Sequence, residues 1–172
     1  MKKLLLVIAM VAAGFTANAQ ETTFGAVAGF NNLTFKASAG GVTASDDASG
    51  FYLGFFADFK LNDKFSIQPE LQYVSSSQDG ESSNQLALPV MAKYYVSEAF
   101  TVQAGPMFDL VVDETGDDFN TFGLGLAAGL GYDINEDFFA SARYSFGLTN
   151  RLDNDIVSSK IDFLQIGIGY RF

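Results

Sequence analysis

Six charged residues stand on segments that otherwise alternate apolar and polar side chains: Asp58, Glu70, Lys93, Asp109, Arg143 and Arg171. Each falls on the polar side of its alternation, three acids and three bases, accompanied by Gln68, Gln72, Gln103 and Gln165. What such a set can do is limited first by the residues the chain lacks. With no His and no Cys, no side chain titrates near neutrality unperturbed and no thiolate is available as nucleophile. Paired carboxylates can perform acid-base chemistry, as in glycosidases, but nothing around Asp58, Glu70 or Asp109 supplies a nucleophile or a cleft. The residues point to no enzyme and to no cofactor or metal ligand set. Charges withdrawn from water must instead pair or be hydrogen-bonded. We therefore expect these six to form a structural ion-pair network filling an interior, completed by the four glutamines. An ion or proton pathway is the functional alternative, and it needs more room than a lumen filled by its own side chains provides.

Strands must position these residues. Read at period two, about eight segments of roughly ten residues emerge, the length a tilted strand needs to cross hydrocarbon. They run from 23 to 30 with an extension through Leu33 and Phe35, then 51–59, 65–73, 86–96, 100–112, 122–132, 138–148 and 161–172. Short turns at 61–64, 97–99 and 133–137 alternate with longer polar loops near 36–50, 75–84, 113–120 and 149–160. Short connections at one end and long ones at the other are the build of a transmembrane barrel with both termini in the periplasm. An immunoglobulin-like sandwich has short strands too, but does not require the alternation. The expected fold is all-β, an eight-stranded antiparallel up-and-down transmembrane β-barrel.

Periodicity leaves open which face is inside. A soluble carrier such as a lipocalin turns its apolar face inward. In the segment 122–132, Phe122, Leu124, Leu126 and Leu130 oppose Gly123, Gly125, Gly129 and Gly131. Glycines in water contribute only entropy cost, whereas facing inward they make room for long neighbours. Beside the short turns, Phe59, Phe65, Tyr94, Phe100, Tyr132, Phe138, Tyr170 and Phe172 share the apolar face. Folding into a barrel aligns them as an aromatic girdle at the periplasmic interface. Both features favour apolar outside.

The two ends of the chain fix its route. Met1-Lys2-Lys3, the apolar run 4–13 and Ala17-Asn18-Ala19 have the three parts of a secretory signal, so residues 1–19 read as a cleaved leader and 20–172 as one barrel domain. The run is too short to span a bilayer, which takes about 20 residues. At the other end Leu164, Ile166, Ile168, Tyr170 and Phe172 alternate with polar or glycine residues up to the last position, the pattern of a closing strand. The formal net charge of −10 repels phosphate backbones and argues against nucleic-acid partners. The long loops carry acids at Asp46-Asp47, Asp79-x-Glu81, Asp113-Glu114, Asp117-Asp118 and Asp153-x-Asp155. Oxygen sets of this kind suit Ca²⁺ or Mg²⁺, but none has the spacing of an EF-hand loop, and solvated loop tips explain them as well.

Several stretches carry a resemblance. The run Phe24-Gly25-Ala26-Val27-Ala28-Gly29-Phe30-Asn31, the segment Leu86-Ala87-Leu88-Pro89-Val90, Ala104-Gly105-Pro106, the run from Ala142 to Thr149 and the ending Gly167-Ile168-Gly169-Tyr170-Arg171-Phe172 resemble the small PorT-like outer-membrane β-barrel domain proteins, which are similar in build to OmpA- and OmpX-type barrels. The likeness covers essentially the mature chain. It implies outer-membrane residence, lipids of that membrane as surroundings, the barrel assembly machinery as a partner during biogenesis, and Tyr170 with Phe172 as the insertion signal. Members include a component linked to secretion, so an envelope protein partner is a further expectation. No catalytic residue defines the family, and barrels of this size that act on lipids rely on a histidine.

Overall fold

The computed structural model describes residues 21–78, 80–113, 119–152 and 158–172. The expected leader, 1–19, lies outside them. Eight strands follow in chain order: β1 (Glu21–Ala39), β2 (Val42–Asn62), β3 (Phe65–Gln78), β4 (Glu81–Tyr95), β5 (Phe100–Val111), β6 (Phe122–Asp133), β7 (Phe138–Gly147) and β8 (Ser158–Arg171). Each pairs antiparallel with the next, and β8 returns to β1 in a register running from Gly25↔Arg171 to Ser38↔Ser158. The protein is an all-β, eight-stranded antiparallel barrel. Closure leaves no free sheet edge at the level where these strands pair.

Three short turns close one end, and each is tied by a side chain that accepts backbone N–H groups. Asn62 Oδ1 accepts from Lys64 N at 2.9 Å and Phe65 N at 3.0 Å. Ser97 Oγ accepts from Phe100 N at 3.1 Å, and Asn135 Oδ1 from Asp137 N at 3.0 Å and Phe138 N at 2.7 Å. Asn and Ser favour turns because their oxygens mimic a backbone acceptor two or three residues upstream.

Two of the expected loops are strand. The stretch 36–50 continues β1 and β2 to a two-residue turn at Gly40 and Gly41, with pairs as far as Ala39↔Val42. Both glycines have positive φ, 57° and 84°, as a type I′ turn needs, and its twist matches that of the flanking strands. Most of 75–84 likewise belongs to β3 and β4, paired out to Gln78↔Glu81 with Gly80 at φ 90°. Polar residues on both faces suggested loop, yet a hairpin beyond an apolar belt meets water on both faces while its backbone still pairs.

Side chains sort by parity. Phe24, Phe30, Phe51, Leu53, Phe55, Leu126, Leu130, Phe146, Ile166 and Ile168 are exposed around the outside, whereas Asn31, Gln68, Glu70, Gln72, Lys93, Gln103 and Gln165 are buried within. This inverts a soluble protein. The soluble-carrier alternative, with its apolar face inward, is therefore the wrong way round. The interior is more apolar than its alternation suggests: Val27, Tyr52, Phe56, Val74, Met91, Met107, Phe139 and Phe163 are buried there too.

Candidate functional site

In the lumen, titratable groups from several strands converge. Lys93 on β4 donates through Nζ to Asp58 Oδ2 on β2 at 2.6 Å and to Gln68 Oε1 on β3 at 2.9 Å. Gln68 Nε2 passes the chain on to Glu70 Oε1 at 2.7 Å. Glu70 accepts also from Arg143 Nη2 on β7 at 2.5 Å and from Gln72 Nε2 at 2.6 Å, and Gln165 Nε2 on β8 donates to Gln72 Oε1 at 2.9 Å. Five strands are thus joined through one continuous set of charge-assisted hydrogen bonds. Such bonds are roughly twice as strong as neutral ones, and in a low-dielectric lumen an unpaired member costs more than a paired one gains.

Alternation puts these groups inside, and neighbouring small residues make space for them. A Cβ on Gly129 would fall 2.7 Å from Arg143 Cγ, so the side chain lies over a bare stretch of β6. A Cβ on Gly169 would collide with the Phe139 ring. Phe139 packs edge-on against Phe56 at 5.5 Å between centroids and carries Lys93 Nζ over its face at 5.5 Å. The ring adds cation–π attraction for the lysine, and Asp58, the partner of Lys93, reaches the cavity at the short turns.

Two of the six candidate charges stand elsewhere. Arg171 does not join the set: it pairs with Asp133 at the short-turn rim, donates to the Glu136 carbonyl at 3.1 Å, and lies 4.8 Å from the Phe139 ring centroid. Being the last residue of β8, it reaches only the mouth. Asp109 pairs with Arg151, which also donates to the carbonyls of Asn120 and Thr121 at 3.3 and 3.2 Å. Arg151 is 2 % exposed and was missed because 149–160 reads as loop. The clue lay in Gly123, where a Cβ would meet that guanidinium. Gln103 donates to Thr101 at 3.2 Å and stays apart from the Glu70 set. The apolar lumen residues had a clue as well, since β2 carries aromatics at both parities, Tyr52 and Phe56 as well as Phe51 and Phe55.

At the short-turn rim, direct cross-strand pairs put the aromatics ring to ring: Phe65 with Tyr94 at 4.9 Å, Phe100 with Tyr132 at 4.8 Å, and Phe138 with Tyr170 at 4.9 Å between centroids. Phe172 continues the row 5.7 Å from Tyr170, its N–H bonded to the Phe24 carbonyl at 2.8 Å. Phe59 lies on the outward face of β2 at the same end.

Among the described residues, the acids near the other end form no common site. Asp46 and Asp47 are adjacent on β2 and so point to opposite faces, Asp47 accepting from Thr34 at 2.6 Å. Asp113 accepts from Asn84 through its backbone N and Nδ2 at 2.5 and 3.0 Å. Glu81 is exposed at the start of β4, while Asp79, Glu114, Asp117, Asp118, Asp153 and Asp155 lie outside the described residues.

A closed barrel with an apolar exterior and an ion-paired interior is the build of a protein that crosses a bilayer with strands. The model of the outer membrane protein beta-barrel domain matches residues 4–172. The chain belongs to that family. As a member it is an outer-membrane β-barrel protein, and the exposed ring of Phe, Leu and Ile is its lipid-facing belt. No curated protein matches it in sequence. Among solved structures it is similar to Ail, the attachment invasion locus protein of Yersinia pestis, at 16 % identity and TM-score 0.56, covering 89 % of this chain and 100 % of that one. It is also similar to Neisserial surface protein A, at 16 % identity and TM-score 0.50, covering 88 % and 98 %. At these identities the likeness is one of fold.

Proposed function

We propose that this family member is a non-enzymatic envelope protein whose lumen is plugged by its own side chains and whose long-hairpin end, facing outward from the cell, contacts ligands or partners. The observation that carries the reading is the Glu70 set, which links β3 to β7 and β8 across the interior while Lys93 links β4 to β2. An eight-stranded barrel is just wide enough for such side chains, so they serve structure in place of transport. The short turns and both termini are assigned to the periplasmic side, with residues 1–19 as the leader, because short periplasmic turns and longer outer connections are the usual arrangement. Tyr170 and Phe172 act in this reading as the insertion signal read by the assembly machinery. The PorT-like character, and with it a place beside an envelope partner, rests on the strand motifs alone.

Reconstitution in planar bilayers tests the plugged lumen. Only brief, irregular current is expected. A steady, reproducible channel would replace this reading with a conducting one. Protease access on whole cells tests orientation: cleavage within 36–50 from outside is expected, and cleavage only after the outer membrane is opened would reverse the assignment.

A further inference from the structure

Eight bases lie in the region 21–172, and most are committed or lie at the short-turn end. Lys93, Arg143, Arg151 and Arg171 are in ion pairs of the lumen and its mouth, and Lys60 and Lys64 border the cavity at the short turns. Lys36 and Lys160 remain. They stand directly opposite one another across the β1–β8 seam, and both fall at the outward parity, that of Phe30 on β1 and of Leu164 and Ile166 on β8. Like charges directly opposed on a sheet destabilise it unless something compensates them. Lys36 is partly compensated, its Nζ 2.6 Å from Asp162 Oδ2. That carboxylate is already occupied, accepting also from Tyr144 OH at 2.9 Å and from Gly147 N at 2.8 Å. The other nearby acid on this face, Asp47, accepts from Thr34. The Lys160 ammonium makes no hydrogen bond or ion pair among the described residues.

Height along the barrel says what could compensate it. The apolar belt on β8 ends at Leu164, and Lys160 is four residues beyond, about 13 Å along the strand and about 9 Å of depth at a tilt near 45°. The polar headgroup zone outside a 30 Å hydrocarbon core is roughly 5–7 Å thick, and lysine stems bend toward such an interface. The Tyr144–Phe146 aromatic pair, 4.7 Å between centroids, lies just below the lysines on the neighbouring strand, as interfacial aromatics do. We propose that Lys36 and Lys160 form a headgroup site for a phosphate-bearing anionic lipid of the leaflet at the long-hairpin end, the phosphate bridging the two ammonium groups. The site rests on the outer-membrane reading and is independent of which side that end faces.

The test uses the full barrel in nanodiscs of equimolar phosphatidylglycerol and phosphatidylcholine, released gently and weighed by native mass spectrometry. The intact protein retains phosphatidylglycerol about fivefold over phosphatidylcholine, the factor expected for one cation at an anionic surface. Lys160→Gln brings retention toward parity, and Lys60→Gln, at the other end, leaves the preference in place. Lys36→Gln also releases Asp162, so Lys160→Gln decides. Equal retention by the intact protein, or an unchanged preference in Lys160→Gln, overturns the site. Displacement of the lipid by millimolar inorganic phosphate makes it a phosphate site and overturns the lipid assignment. Failure of the intact chain to show heat-modifiable migration or to enter nanodiscs refutes the membrane reading itself, a separate outcome.

Discussion

Glu70 is the residue on which the interior turns. It is 1 % exposed and accepts from Arg143, Gln68 and Gln72, so its removal strands a buried cation. Breaking one partner of a buried pair costs about 3–5 kcal/mol, whereas replacing both with apolar groups of similar volume is often neutral. Glu70→Gln is expected to lower stability by about 3 kcal/mol, read as the urea midpoint of the refolded barrel in vesicles. Glu70→Leu with Arg143→Met recovers most of that loss. If the single and double variants lose equally, volume and not charge holds this layer. Arg143 has two further buried donors, Nε and Nη1, without a protein partner among the described residues, the kind of group that ordered water serves.

Among elements the first hairpin stands out. β1 and β2 run for 19 and 21 residues, about twice the 9–11 that cross a bilayer. Outward-facing Phe51, Leu53 and Phe55 on β2 give way to Ser49, Asp47, Ser45 and Thr43, so the second half of the hairpin stands clear of the belt. Its only turn is Gly40-Gly41, where both residues have positive φ and where a Cβ would meet nothing within 4 Å. A side chain there strains the backbone without touching the packing. β-branched residues tolerate that region worst, so Gly40→Val with Gly41→Val frays the tip. Protease cleavage within 36–48 should rise several-fold while the global unfolding free energy from urea titration stays within about 0.5 kcal/mol of the parent, as for a local opening. A large shift in the midpoint would mean that the projecting hairpin folds as one unit with the barrel.

For the whole molecule, closure is what matters, and it is made by the two ends of the barrel domain. β1 and β8 pair from Gly25↔Arg171 upward, and Phe172 adds only its N–H to the Phe24 carbonyl and its ring to the aromatic row. Deleting Phe172 therefore removes little of the paired seam. Refolding from urea into detergent is expected to proceed with nearly unchanged yield, whereas assembly in cells, followed as heat-modifiable protein in the outer membrane, falls sharply. Normal assembly in cells would remove the insertion-signal role and leave the barrel intact.

Within the sequence, alternation determined the strand count, and alternation together with the glycines of 122–132 and the turn-side aromatics determined the outward face and the inward side of Asp58, Glu70, Lys93 and Arg143, because the pleat repeats every two residues and a one-residue slip would turn the outward set, Phe24, Phe30, Phe51 and Phe55 among it, into the lumen. The same rule placed Phe65, Tyr94, Phe100 and Tyr132 at one end, each beside a short turn. Tertiary structure decided the partners. Which charge meets which depends on strand stagger around the ring, and stagger leaves no trace in any single strand; hence Asp109 meets Arg151 and Arg171 meets Asp133. It decided as well that polar segments such as 36–50 are strand, since backbone pairing across a hairpin depends on the partner strand and not on the polarity of the side chains it carries.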